Sequence, residues 1–160
     1  MNTSPEKLSA STGSGEQTLQ PGPEAWALGL AGLLPFVLGA AGVWLLNLDW
    51  SALAATALLT YAAVIVSFLG GIHWGLAMRQ MSPPRGWLIW GVLPSVLAWA
   101  GLLLNSAWGL LLMAASLILC YVVDCQIYRP LQLGSWLILR GILTFVAVVS
   151  CLSAAAAFWG

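Results

Sequence analysis

The chain has 160 residues, 61% of them hydrophobic and 6% charged, with a mean hydropathy of +0.93, a composition that belongs to a bilayer and excludes an ordinary soluble domain. Its 5 basic and 5 acidic residues give a formal net charge of 0, which leaves no electrostatic footprint for nucleic acid or for polybasic attachment to a membrane surface. Cys120, Cys125 and Cys151 have neither CxxC nor Cys/His metal spacing, so they read as reduced packing residues, with no metal and no cofactor expected.

Residues 1–23, MNTSPEKLSASTGSGEQTLQPGP, hold too little apolar surface to offset the entropy of ordering them and are expected to form a disordered polar tail. No apolar segment follows Lys7 and no arginine precedes Arg79, so neither a secretory signal nor an arginine-rich transit peptide fits. Residues 24–160 are expected to form one membrane domain. Ala25 to Leu48 and Ser51 to Met78 are uncharged if His73 is neutral, and each can span a bilayer. Gly86 to Val123 is also uncharged, but as a single helix it would measure ~57 Å against a hydrocarbon core of ~30 Å. It must turn back, and Asn105-Ser106 is the polar break near its middle. Ser135 to Phe158 supplies the last span. The expected fold is therefore all-α, a polytopic antiparallel bundle of five transmembrane helices, with spans at about 25–47, 52–78, 87–104, 107–128 and 135–158.

Lys7, Arg79, Arg85 and Arg129 fall on the side of the N-terminus and Arg140 just inside that face, which predicts a cytoplasmic N-terminus, or a matrix one in a mitochondrial membrane, and a C-terminus on the far side. Trp26, Trp87, Trp90 and Trp136 fall near the inner interface and Trp44, Trp50, Trp108 and Trp159 near the outer one, as amphipathic rings should. Trp74 and Trp99 lie deeper and read as packing residues.

The polar residues can be given depths from the helical rise. His73 precedes Arg79 by six residues, Asp124 precedes Arg129 by five and Arg140 follows Ser135 by five, which puts all three about 7 to 9 Å below the inner face. Tyr121, Asp124 and Tyr128 fall within about 60° of one another on their helix, and Trp136, Arg140, Thr144 and Cys151 share a face on the next. An ion pair between Asp124 and Arg140 is the natural way to keep both charges out of lipid. Gly71 and Gly75 form a GxxxG pair expected to pack closely against a neighbouring helix, with His73 on the opposite face. His73 has two readings. It is a hydrogen-bonding residue that fixes helix packing, or it joins Asp124, Arg140 and Tyr121 in an inward-opening pocket for an anionic or carbonyl head group. Pro35 and Pro94 each free a carbonyl one turn earlier, at Ala31 and Trp90, and predict kinks.

Four segments together, LAGLLPF, YAAVIVSFLGGIHWGLAM, PSVLAWAGLLL and the LR-x3-LT around Arg140, resemble domain-of-unknown-function family 3429 over roughly residues 26 to 155. The resemblance implies a small multispanning protein of the bacterial inner membrane or its mitochondrial counterpart and carries no activity or site residues with it. Tryptophan-rich sensory proteins share the helix count and the many tryptophans, but their Trp-x-Pro-Pro loop is absent here.

Three classes of function follow. The first is a non-enzymatic membrane component that binds a lipid or quinone head group, or another membrane protein or a copy of itself, and assists assembly. The second is a small transporter or channel, which as an oligomer could enclose a path that the weakly polar outer half of one chain does not offer. The third is an enzyme, for which HExxH, GxSxG, a Cys/His pair and a second carboxylate beside Asp124 are all missing.

Overall fold

The computed structural model describes residues 20–82, 85–128 and 133–159. Nearly all of the expected polar tail, together with Lys7, Arg129 and the last residue Gly160, lies outside the described residues. The chain is all-α, with α1 Pro23–Ala31, α2 Leu34–Leu45, α3 Leu48–Met78, α4 Arg85–Leu102, α5 Ser106–Tyr128 and α6 Gly134–Ala156. Helices α1 and α2 follow each other as one bent rod, so the bundle has five rods.

The bend has a chemical cause. Pro35 lacks an amide hydrogen and its ring clashes with the carbonyl one turn before it, so the α-helical ladder cannot run through. Helix α1 accordingly ends at Ala31, Gly32 and Leu33 form a turn, and α2 starts at Leu34 with Pro35 in its first turn, where proline is tolerated. A polar group from another rod completes the break, because the Tyr61 hydroxyl of α3 donates to the Gly32 carbonyl at 2.9 Å. Pro94 acts differently: α4 continues through it, so the kink expected there does not interrupt the helix.

Two asparagines start the helices that return from the opposite end. Asn47 Oδ1 accepts from the Trp50 amide at 3.3 Å, and Asn105 Oδ1 accepts from the Trp108 amide at 3.2 Å, each satisfying a donor that a helix N-terminus leaves orphaned.

Cross-rod bonds fix the alternating direction of the rods. Trp74 Nε1 near the end of α3 donates to the Leu88 carbonyl near the start of α4 at 3.0 Å, and Arg140 near the start of α6 reaches Asp124 near the end of α5. At the other end Trp44 of α2 donates to Ser153 of α6, as two rods of like direction should. Helix α3 is the hub, touching α2, α4, α5 and α6.

The core holds many small side chains, Ala55, Ala62, Ala63, Ala98, Ala114, Ala147, Ala154 and Ala155 among them, around Phe36, Leu58, Leu110, Met113 and Leu117. Large apolar residues such as Leu38, Phe68, Trp99, Ile118 and Phe145 point outward instead. A small-residue interior with an apolar exterior is the arrangement a bilayer favours, since lipid supplies no hydrophobic force between helices and close contact must hold them together. Trp99 is thus a surface residue of the bundle, not the packing residue expected.

Gly70 and Gly91 provide one such contact. A Cβ on Gly70 would stand 2.5 Å from the Gly91 carbonyl oxygen, and a Cβ on Gly91 would collide with the Trp74 ring. The packing role expected of Gly71 and Gly75 is corrected here. Both are exposed, and a Cβ on either would meet nothing within 4 Å among the described residues. The reason is rotational: α4 crosses α3 on the side of Gly70, and one residue further turns the backbone by about 100° to the outer surface.

The rods Pro23–Leu45, Leu48–Met78, Ser106–Tyr128 and Gly134–Ala156 are long and apolar enough to cross a membrane, which makes this a multi-pass membrane protein in contact with the lipid bilayer. Helix α4 is the weakest in this respect, with 18 residues that include Arg85, Pro94 and Ser95.

Candidate functional site

His73, the sole histidine of the chain, is placed by α3 with 0% exposure. Leu69, Gly70 and Ala77 share its buried face, so the ring points into the hub of the bundle. Its Nδ1 lies 3.1 Å from the Leu69 carbonyl one turn earlier, and its Nε2 lies 3.3 Å from Asp124 Oδ1 on α5. The second contact is at ion-pair distance but is not aligned as a hydrogen bond. Trp90 of α4 meets the imidazole edge to face, centroids 6.3 Å apart and planes at 86°, and its own indole N–H is buried with no hydrogen-bond partner among the described residues.

Asp124 is 1% exposed and sits between His73 and Arg140. Oδ1 faces His73, while Oδ2 accepts from Arg140 Nε at 2.8 Å and also from Arg140 Nη2. Asp124 lies near the C-terminal end of α5, Arg140 near the N-terminal end of α6, and the antiparallel return of the two rods brings them level. Three rods are thereby tied together through one carboxylate, with Cys120 and Tyr128, one turn before and after it, completing the buried face of α5.

Arg140 is the member that reaches out. It helps to line a cavity of about 640 Å³ bounded by α1, α3, α6 and the end of α5, a size within the ~300–1,000 Å³ usual for small-molecule sites. Leu28, Phe36, Ile65, Ile72 and Leu143 supply apolar wall, and Tyr128, Trp136, Arg140 and Thr144 are residues of the wall that carry polar groups. The cleft lies beside the break between α1 and α2. Helix α2 packs on both α3 and α6, whereas α1 beyond the Gly32-Leu33 turn touches α6 and buries no residue of its own.

The expected pocket residues are therefore divided. His73, Asp124 and Arg140 come together, but His73 and Asp124 lie behind the wall and only Arg140 lines the cleft. Tyr121 does not line the cleft: it borders a shallow depression with Val122, Cys125 and Gln126, packed so that a Cβ on Gly141 would stand 3.0 Å from its hydroxyl. The sequence signal for Tyr128 and Thr144 was their shared face with Asp124 and Arg140. For Tyr61 and the α1 wall there was none. Among the described residues no group of three or more His, Cys, Asp or Glu side chains is placed to hold a metal ion.

The family described as "Protein of unknown function (DUF3429)" matches residues 21–156. Transmembrane protein 69 of Xenopus tropicalis is 38% identical over 133 residues, 77% of this chain and 50% of that protein, so the chain spans half the length of this curated relative. No solved structure matches.

Proposed function

Since the chain belongs to the DUF3429 family of multi-pass membrane proteins, we propose that it is a non-enzymatic component of a bacterial inner membrane, or of the mitochondrial inner membrane, that holds an amphipathic lipid or quinone in the cleft between α1 and α6. The observation that carries this reading is the composition of the cleft wall: aliphatic and aromatic along its length, with Arg140, Tyr128 and Thr144 as its polar residues. A ligand with an apolar tail and a compact head group matches both parts. The non-enzymatic part is supported by the chemistry of the wall, where a guanidinium, a phenol and a threonine do not form a nucleophile and base pairing.

The orientation belongs to the same proposal. The described cations Arg79 and Arg85 sit at the end of the bundle where the cleft lies, and Arg140 just inside it, whereas the other end carries Asp49 and no described cation. Positive charge is retained on the cytoplasmic or matrix side, so the cleft lies in the inner leaflet. The test is small-molecule mass spectrometry of protein isolated in native lipid nanodiscs. One amphiphile enriched over bulk lipid in the wild type and lost in Arg140→Gln is the expected result, and equal bulk lipid in both overturns the reading.

A further inference from the structure

We infer that Phe36 is the floor of the cleft and sets the length of the chain it accepts, an acyl chain of the surrounding bilayer about one leaflet long; the inference rests on the lipid-or-quinone reading above and narrows it.

The cleft has a definite length. On three rods its wall begins and ends at matching positions, Ala25 to Phe36 on α1 and α2, Leu76 to Ile65 on α3, and Trp136 to Ala147 on α6. Each stretch advances by eleven residues, or ~16 Å at the helical rise, close to half of a ~30 Å hydrocarbon core. The far end lies near the middle of the rods: Phe36 follows Pro23 by thirteen residues, Ile65 precedes Met78 by thirteen and Ala147 follows Gly134 by thirteen. The near end, with Tyr128 and Trp136, lies at the end of the bundle that carries Arg79 and Arg85, where amphipathic rings favour the membrane interface. A lipid lying along the rods therefore has its head group level with Tyr128 and Trp136 and the last methyl of one chain level with Phe36.

Beyond that level the bundle is packed shut. Ala40, Ala62, Ala114 and Cys151, each one turn past the last wall residue of its rod, are buried, and none of them lines the cleft. All four side chains are small. The bulk that closes the far end therefore comes from Phe36, which is 2% exposed and carries the one aromatic ring among the deepest wall residues Phe36, Ile65, Leu117 and Ala147. That ring is braced from behind. Tyr61 meets it edge to face, with centroids 5.2 Å apart and planes at 70°, and Tyr61 is itself fixed by the bond from its hydroxyl to the Gly32 carbonyl.

A close-packed interior does not accept surplus methylenes without displacing its neighbours. An acyl chain that ends at Phe36 fills the apolar wall and stops. A longer chain must push the braced ring aside or leave the cleft, and the polyprenyl tail of a quinone, longer than a leaflet, must turn out of it at the same point. Removing the Phe36 ring has the opposite effect, because the small side chains beyond it cannot fill the space and the void left behind continues the cleft toward Ala40.

The experiment reconstitutes the full chain in nanodiscs holding equal amounts of phosphatidylcholines with myristoleoyl, oleoyl or erucoyl chains and a smaller amount of ubiquinone, then identifies by mass spectrometry the molecules that remain bound after transfer to detergent. The shared head group isolates the tail. Wild type is expected to retain the oleoyl lipid over the longer erucoyl one by about tenfold, the ratio that a modest overpacking cost produces. Phe36→Ala is expected to bring that ratio close to one. Ile72→Trp, which adds a ring partway along the wall, is expected to shift retention to the short myristoleoyl lipid. Retention of ubiquinone over every phospholipid overturns this inference and leaves the broader reading standing, as does lipid retained without regard to chain length and lost in Ile72→Trp. Equal carry-over of bulk lipid by all three proteins overturns both. A length preference that persists in Phe36→Ala, checked as folded by circular dichroism, also overturns the inference; if that variant does not fold, Ile72→Trp decides, and an unchanged length distribution there has the same meaning.

Discussion

At the scale of single residues the account turns on Asp124, which faces both His73 and Arg140. Replacing it with asparagine leaves the Arg140 guanidinium in a buried setting without its carboxylate, and removal of one partner from a buried pair costs about 3–5 kcal/mol. Asp124→Asn is therefore expected to unfold at markedly lower denaturing-detergent content than wild type. Arg140→Gln is expected to be milder, because Asp124 keeps its 3.3 Å contact with His73, and Asp124→Asn combined with Arg140→Gln is expected to recover part of the loss. Detergent unfolding followed by circular dichroism checks the order of the three, and equal losses in both single variants would contradict it. The Asp124 and Arg140 pairing was legible in the sequence because depth and helical face are both countable along a chain, and a short loop makes the two helices neighbours. The contact of His73 with Asp124 was legible only as a shared depth. It depends on α3 packing against α5, a relation between helices that are not consecutive, and periodicity within one helix does not determine it.

At the scale of elements, glycine spacing and the proline bend have separate lessons. GxxxG at Gly71 and Gly75 has the right spacing for a helix contact, yet the contact is made at Gly70 and Gly91, since spacing identifies a smooth face but not the direction from which another helix comes. Gly70→Val is expected to cost about 1–3 kcal/mol through overpacking, while Gly71→Val leaves the stability of the isolated chain unchanged. Thermal unfolding of the two variants in detergent separates them, and the opposite order would show that the wrong face was assigned. Pro35 announced a kink from the sequence, but its consequence, a wall of α1 standing off α3, became visible only with Tyr61 and the α2 contacts in place. Pro35→Ala restores an amide donor and lets α1 and α2 approach a single straight helix. It is expected to keep the fold and to reduce the amount of bound amphiphile, read by mass spectrometry. Undiminished binding would mean that the bend does not shape the cleft.

For the whole molecule, an all-α bundle of apolar rods was legible because 160 residues with 6% charge leave few alternatives in which every backbone polar group is satisfied within lipid. Which rods touch was not legible, and that relation decides where the cleft opens. The orientation proposed from the arginines is expected to make Ser82→Cys reactive to a membrane-impermeant thiol reagent only from the cytoplasmic or matrix side, and Asp49→Cys only from the other. The reverse pattern would place the cleft in the outer leaflet. The central claim is that the cleft beside Arg140 holds a specific amphiphile, and the most direct measurement is mass spectrometry of the molecules retained by wild type and Arg140→Gln from native lipid nanodiscs. The account predicts one amphiphilic species enriched in the wild type and absent from the folded variant; the same bulk lipids in both samples would contradict it.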